Sequence, residues 1–188
     1  MLWWQWVLVG VAILFGVPLI VALIGSRLPK GHVAIVRARL AATPPPAVWA
    51  TLADFASWPS WNPQIRAMDR APDREGRAVW VMVDRNGKMP TEIAESIAPE
   101  GGRAGKLVTR IADPSLPYGG TWTWDVAPDA DSVTATNVTI TEDGVIHNAL
   151  FRFLARFAFG YTGTADAYLR ALGAKHGESV TPEVVRAR

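Results

Sequence analysis

The chain is 188 residues long, which fits one globular domain with an appendage. It contains no cysteine, so disulfides, thiolate metal sites and a cysteine nucleophile are excluded. The formal net charge of +2 is small and the basic residues are spread along the sequence. This argues against a nucleic-acid partner, because such proteins normally carry a clustered basic face.

The first element is an apolar run. Between Leu2 and Gly25 the only strongly polar side chain is Gln5. A helix of about 24 residues spans about 36 Å, enough to cross the roughly 30 Å hydrocarbon layer of a bilayer. The rings of Trp3, Trp4 and Trp6 lie at one end, where amphipathic rings favour the headgroup region. The run predicts an uncleaved transmembrane anchor over residues 1–26, with a cleavable signal peptide as the alternative.

The charges after this run predict its orientation. Four basic residues follow it and only the terminal amine precedes it: Arg27, Lys30, Arg37 and Arg39. The positive-inside rule then leaves the rest of the chain in the cytoplasm. We therefore expect a single-pass protein of the inner (cytoplasmic) membrane, with residues 27–31 as a short linker.

A strand and a short helix follow the linker. Residues His32–Ala42 alternate around β-branched side chains, which predicts a strand. Thr43 and the three prolines after it favour a helix start, and the helix is predicted to end near Asp54. The pairs Trp58-Pro59 and Asn62-Pro63 stop any continuing helix, because a residue before proline avoids the α region.

The middle of the chain alternates between strand-like runs and turn signals. The pair Asn86-Gly87 is a strong hairpin signal. Strands are predicted at Arg77–Asp84, Thr91–Ala98, Lys106–Ala112, Thr121–Val126 and Ser132–Thr141.

The last part of the chain changes period. From about His147 to Leu172, apolar residues recur at three- and four-residue spacing, which predicts one helix of about 25 residues. Residues 179–188 are mostly polar and are predicted to be a disordered tail. Hairpin-linked strands followed by a long helix are typical of an α+β domain. The order predicts that residues 32–178 form about six or seven antiparallel strands curled around the helix, with a cavity between them.

Three motifs resemble a known family. They are P-P-A-V-W-x-x-L-A-D at residues 45–54, W-P-x-W-N-P at residues 58–63, and N-A-L-F-R-F-L-A-R-F followed by G-x-T-x-x-A-x-x-Y-L-x-x-L at residues 148–172. This pattern is similar to the START-like (SRPBCC) superfamily, in its polyketide cyclase/dehydrase and lipid-transport group, and to membrane-anchored bacterial members. The resemblance implies a helix-grip fold, in which a curved antiparallel sheet wraps the C-terminal helix around an apolar pocket. It is barely specific for function, since carriers, cyclases and ubiquinone-binding proteins share it.

Large aromatic residues are the candidates for lining that pocket. Trp122 and Trp124 are two apart and share one face of a strand, as do Trp80 and Met82. Ordinary core packing is the alternative for each ring, because aromatics dominate cores. The predicted cavity residues are Trp58, Trp61, Trp80, Met82, Trp122, Trp124, Phe157 and Tyr161.

Catalytic and metal-binding patterns are not found in the sequence. The three histidines lack metal-ligand spacing, and no serine has a nucleophile-elbow context. We expect no cofactor and no metal. Arg152 and Arg156 are four apart on the predicted helix, where they form either a solvated stripe or a contact to anionic lipid headgroups.

Three functions remain open at this stage. The first is membrane-tethered binding, transport or sensing of a hydrophobic small molecule such as a lipid, quinone or isoprenoid. The second is a cyclase- or dehydratase-type enzyme, which would need a general acid or base inside the cavity. The third is an accessory domain that binds no ligand and packs on a protein partner, which the sequence does not identify.

Overall fold

One antiparallel sheet organises the molecule. The structure is a computed structural model that describes residues 3–187, except for the side chains of Leu8, Val9 and residues 11–13. Its eight strands lie in the order β2-β3-β4-β5-β6-β7-β1-β8. The strands are β1 (Gly31–Leu40), β2 (Ala67–Arg74), β3 (Arg77–Asp84), β4 (Gly87–Ile97), β5 (Gly105–Ile111), β6 (Tyr118–Asp129), β7 (Ser132–Ile146) and β8 (Glu183–Ala187).

The helices come before, between and after these strands. They are α1 (Trp3–Arg27), α2 (Pro45–Ala53), α3 (Trp58–Trp61), α4 (Ala149–Leu154) and α5 (Gly163–Lys175), with a 3-10 turn at Phe55–Ser57 and a π-helical segment at Ala155–Phe159. Val48 and Leu52 of α2 and Leu169 and Leu172 of α5 are fully buried. Both helices therefore pack on the inner face of the sheet and form the core with it. The α+β helix-grip expectation is confirmed in this arrangement.

Strand register sorts the inner face of the sheet into rows of side chains. Two apolar rows contain only aliphatic residues and one tryptophan: Leu107, Trp124, Ile140 and Val36 in one, and Val126, Val138 and Ala38 in the other. Every residue in these two rows is almost completely buried. Two further rows, here called the cavity rows, contain Thr109, Trp122 and Glu142, and then Gly120, Gly144 and His32. The same strands thus change from apolar to mixed composition along their length.

The N-terminal helix corrects the predicted anchor. Among residues 3–187, no helix combines the length and the apolar character needed to cross a membrane. The predicted transmembrane helix is therefore wrong, and so is the inner-membrane localisation that depended on it; Met1 and Leu2 lie outside the described residues. The last turn of α1 belongs to the folded domain, because Gly25 is buried against the backbone of Ala149 and its carbonyl accepts a hydrogen bond from Arg152 Nε at 2.8 Å. The count of 24 membrane-spanning residues included this last turn, but the turn packs against the domain and is not available to the hydrocarbon layer.

The C-terminal helix is also different from its prediction. The expected single helix is divided into α4, the π-helical segment and α5. The division falls at Gly160, whose φ of 73° lies in the left-handed region that glycine adopts at little cost. The apolar period continues on both sides of this break, so periodicity could not reveal it.

Two edge strands were missed by the sequence analysis, so the sheet has eight strands instead of six or seven. Strand β2 is mostly exposed and contains Pro72, which removes the alternation that marks a strand. Strand β8 lies in the segment predicted to be disordered, and its backbone pairs with β1. The disordered tail is therefore a wrong prediction for residues 183–187; Arg188 lies outside the described residues. The polar composition of β8 does not predict a strand, because its order comes from backbone pairing with the edge of β1.

Candidate ligand cavity

A cavity of about 470 Å³ lies between the inner face of the sheet and α5. Its volume is within the roughly 300–1,000 Å³ of small-molecule sites. The lining residues are Phe55, Trp58, Pro63, Gln64, Arg66, Met68, Met82, Asp84, Arg85, Asn86, Met89, Thr91, Thr109, Ile111, Tyr118, Gly120, Trp122, Trp124, Glu142, Thr164 and Tyr168. The cavity begins where the apolar rows end.

Four aromatic rings form one wall of the cavity. Tyr168 of α5 lies with its ring centroid 5.3 Å from that of Trp122 and 6.0 Å from that of Trp124. Trp58 of α3 lies 6.1 Å from both Trp124 and Tyr168, in edge-to-face geometry. Such pairs are favourable beyond the area they bury. The indole N–H of Trp58 donates to the Leu52 carbonyl at 3.1 Å, so this ring is fixed without a ligand.

Three methionines form another part of the lining. Met68, Met82 and Met89 are aligned across three neighbouring strands by the register of β2, β3 and β4. The hydroxyl of Tyr168 donates to the Met82 sulfur at 3.3 Å and so connects this row to the aromatic wall. Unbranched methionine side chains adapt to irregular shapes. This part of the wall can adjust to ligands of different outline.

The tip of the β3–β4 hairpin supplies the polar rim. Asp84 accepts hydrogen bonds from the backbone N–H groups of Asn86 and Gly87, which fixes the two-residue turn. Its carboxylate also acts on the cavity: burial, with a smaller contribution from Asp84, raises the pKa of Tyr118 and Tyr168 above the usual value. Both phenols therefore stay neutral at physiological pH. Arg66 and Arg85 lie at the same rim.

A buried histidine and a glutamate stand at the cavity rows. Glu142 lines the cavity, and its Oε1 lies 3.0 Å from Nε2 of His32. The His32 ring stacks on Tyr161 with centroids 4.6 Å apart. Tyr161 therefore reaches the cavity only through His32.

The predicted cavity residues divide into two groups. Trp58, Met82, Trp122 and Trp124 line the cavity. The others lie elsewhere: Trp61 is buried in the core, Trp80 stacks on Phe55 with centroids 5.8 Å apart, Phe157 is exposed on the π-helical segment, and Tyr161 covers His32. Trp61 and Phe157 lie on helical segments, Tyr161 lies in the bend before α5, and Trp80 is on the second strand from the sheet edge. The sequence does not say what faces these positions.

The two arginines proposed for lipid headgroups have different environments. Arg152 is only 6% exposed, so it is not available to a membrane surface. Its guanidinium donates to the carbonyls of Gly25, Ile146 and His147 and joins α1 to the domain. Arg156 is exposed and lies over the Phe157 ring. The spacing of four predicts one shared helical face, but the chain changes from α-helix to π-helix between the two arginines.

Several lining residues were missed, and some had a signal in the sequence. Met89 faces Met82 across the β3–β4 hairpin, whose two turn residues are Arg85 and Asn86. A turn at Asn86-Gly87 would instead pair Met82 with Thr91, which lies on the same face of β4 as Met89. Glu142 continues the inward alternation from Val138 and Ile140, but the predicted strand ended at Thr141, whereas β7 runs to Ile146. Tyr168 and Phe55 had no such signal, because their position depends on where the helices pack.

Charged groups also form a shallow depression of about 260 Å³ at the β3–β5 side of the sheet. Glu92 is almost buried there and accepts from Arg110 Nε at 2.7 Å, with Arg77 at 3.6 Å. These charges satisfy one another. Within residues 3–187, no group of three or more His, Asp or Glu side chains is placed to hold a metal ion.

Solved structures share this fold at low sequence identity. A hypothetical protein from Helicobacter pylori superposes with a TM-score of 0.61 at 11% identity, covering 76% of this chain and 86% of that one. A START superfamily protein from Mycobacterium smegmatis gives 0.55 at 13% identity, covering 77% and 96%. An aromatase/cyclase from Streptomyces sp. R1128 gives 0.51 at 15% identity, covering 78% and 92%. At such identities the similarity establishes the fold alone.

Sequence comparison identifies the family. No curated protein sequence matches the chain. The sequence profile described as "Polyketide cyclase / dehydrase and lipid transport" matches residues 32–176, which is most of the chain and includes every strand from β2 to β7 and the helix α5. The protein therefore belongs to the polyketide cyclase/dehydrase and lipid transport family.

Proposed function

We propose that the protein binds a hydrophobic small molecule, such as a lipid, quinone or isoprenoid, in the cavity between the sheet and α5, as a carrier or sensor. The observation that supports this most is the contrast within one sheet face. The apolar rows are filled completely by their own side chains, whereas the cavity rows leave about 470 Å³ beside Trp122, Met82 and Tyr168. An accessory domain without a ligand would gain stability by filling that space.

The lining also fits such a ligand. Six aromatic residues and three methionines line the cavity, and polar or charged side chains such as Arg66, Asp84 and Glu142 line much of the rest. In small-molecule sites, apolar contact provides affinity and polar groups fix orientation.

Two measurements test this proposal. Native mass spectrometry of the purified protein is expected to show a co-purified apolar molecule that denaturation releases. Titration with Nile red, a neutral dye whose emission depends on its environment, is expected to show saturable one-site binding. A variant that fills the cavity, Thr109→Phe, should lose dye binding and keep its fold. As a matched control, Thr123→Phe places the same ring on the opposite face of β6 and should keep binding. If Thr109→Phe is folded and still binds the dye at the wild-type affinity, the cavity is not the site.

A catalytic role of the cyclase or dehydratase type is a second candidate. Glu142 in the cavity wall favours it, because that chemistry requires a titratable group near the ligand. The mass of the co-purified molecule distinguishes the two. Wild type and Glu142→Gln carry the same molecule if the protein is a carrier. If the protein dehydrates its substrate, the wild type carries a molecule lighter by one water.

A further inference from the structure

The polar pair His32 and Glu142 lies in the cavity rows, next to Trp122 of the aromatic wall. Within its row, Glu142 is aligned with Trp122 on one side and Ala34 on the other. Its side chain is 21% exposed, and that exposure is toward the cavity that it lines. A carboxylate in such surroundings is costly unless it is hydrogen-bonded.

The fold makes specific room for the histidine that holds this carboxylate. Gly144 faces His32 across the β7–β1 pair, and a methyl group at Gly144 would overlap the His32 ring. Gly120, in the same row, has a φ of 129°, and a side chain there would meet the Asp143 carbonyl. Two glycines side by side thus leave a slot, and Tyr161 closes it by stacking on the ring.

Within residues 3–187, one hydrogen bond joins this pair, and one further polar atom of each side chain has no partner. An ionised carboxylate only accepts, so Nε2 of His32 carries the proton in the contact to Glu142 Oε1. Among residues 3–187, this is the only hydrogen bond that Glu142 receives, and Oε2 is left to accept from whatever occupies the cavity. His32 is 8% exposed and its Nδ1 has no partner among the same residues. The histidine therefore orients the glutamate, and the glutamate presents an acceptor to the cavity.

We propose that Glu142, oriented by His32, accepts a hydrogen bond from a neutral hydroxyl group of the bound molecule, so that the cavity takes an apolar alcohol or phenol in preference to a hydrocarbon, an ether or a carboxylate. This inference rests on the proposed function. A ligand carboxylate is repelled by Glu142 at this position. A ligand ammonium would have to pass Arg66 and Arg85 at the rim. A hydroxyl meets neither penalty and supplies the donor that Oε2 lacks.

The test is a competition experiment with two matched compounds at neutral pH. 2-Naphthol and 2-methoxynaphthalene have the same ring system, but only the first can donate a hydrogen bond. Each is used to displace Nile red, which has no N–H or O–H group and so does not depend on Glu142. A hydrogen bond to a charged group predicts that the wild type prefers the naphthol by on the order of tenfold or more.

Variants at Glu142 and at its neighbour Asp143 distinguish an effect of the Glu142 carboxylate from an effect of removing any negative charge nearby. Glu142→Leu removes the acceptor and is expected to reduce the preference to about one, within a factor of two, because only hydrogen bonding distinguishes the compounds. Glu142→Gln keeps the shape and an uncharged acceptor, and should show an intermediate preference even if the leucine variant fails to fold. Asp143→Asn is the control, because Asp143 is exposed on the opposite face of β7 and its variant should keep the wild-type preference.

The outcomes distinguish this inference from the proposed function. If Nile red binds and the preference is the same in wild type and both Glu142 variants, the hydroxyl assignment is overturned while the cavity remains a binding site. If the methoxy compound binds as well as the naphthol in the wild type, the assignment is also overturned. If the wild type binds neither dye nor competitor, the proposed function fails and this inference fails with it.

Discussion

The apolar rows and the cavity rows of the same sheet face are the most instructive comparison in this molecule. Both are built by β5, β6, β7 and β1 of the same sheet. In the apolar rows, Trp124 and Ile140 are completely buried by α2 and α5. One step along the strands, Thr109 and Glu142 replace the aliphatic residues and glycines follow, and a cavity remains. The side chains at a few aligned strand positions therefore decide whether this face of the sheet is filled core or borders a cavity.

The largest loss of stability is expected from Trp61→Ala, which removes a ring from the filled core. Trp61 is 8% exposed, packs beside Trp58 and does not line the cavity. Removing the ring should lower the free energy of unfolding by about 3–5 kcal/mol through the space it leaves. Nile red affinity per folded molecule should not change. Urea denaturation together with dye titration measures both, and a strong loss of affinity would show that Trp61 lines the cavity, as the sequence predicts.

A smaller loss of stability is expected from Gly144→Ala in the cavity rows. The new methyl group must displace the His32 ring from its slot. Overpacking of this kind costs about 1–3 kcal/mol. Gly119→Ala is the control, because a methyl group at Gly119 meets no atom within 4 Å and should change stability by less than about 0.5 kcal/mol. Thermal melting of both variants checks this, and equal melting temperatures would contradict the role given to the slot.

Trp122→Ala should reduce Nile red affinity more, and stability less, than Trp61→Ala does. The Trp122 ring is half-buried and faces the cavity, so its removal leaves less new empty space in the core. We expect a loss of about 1–2 kcal/mol in unfolding free energy, since part of its area is already in contact with the cavity. Nile red affinity should fall by severalfold. A melting temperature lowered as far as in Trp61→Ala, with unchanged affinity, would show that Trp122 is core and not a cavity wall.

The smallest effect concerns the turn that ends the apolar rows, between β6 and β7. Asp129 accepts hydrogen bonds from Arg39 Nε at 2.8 Å, from the Asp131 N–H and from Asn137. The Arg39 contact contributes most to lowering the pKa of Asp129 from 3.8 to about 2. Because the folded pKa is below the unfolded one, this contribution to stability is present above about pH 4 and disappears as the pH falls toward 2.

Urea denaturation of wild type and Asp129→Asn across this range measures the contribution. The difference in unfolding free energy should be constant near neutral pH and should shrink between pH 4 and 2. Asp131→Asn removes a carboxylate from the same turn, keeps the Arg39 pair, and should show a weaker dependence in that window. A difference that persists unchanged at pH 2 would mean that Asp129 acts through packing and not through its charge.

Local patterns in the sequence were sufficient for most of the sheet. Alternation of β-branched and polar residues identified β1 and β3 to β7, and the Asn86-Gly87 pair located the β3–β4 hairpin, although its two turn residues are Arg85 and Asn86. The spacing of Trp122 and Trp124 placed both on the inner face. These features are determined within a few residues along the chain, because side chains of a strand alternate strictly between its two faces.

Only the tertiary structure decided which of the aromatic residues meet the cavity. Trp58 and Trp61 lie on one short helix, yet Trp58 lines the cavity beside Trp124 and Tyr168, whereas Trp61 is core. The same holds for His32 and Glu142, which are distant in sequence and meet because β1 pairs with β7. It holds also for Arg152, whose three carbonyl partners come from α1, from the last residue of β7 and from the residue after it. Sequence determines the face on which a side chain lies, and long-range packing determines what that face encounters.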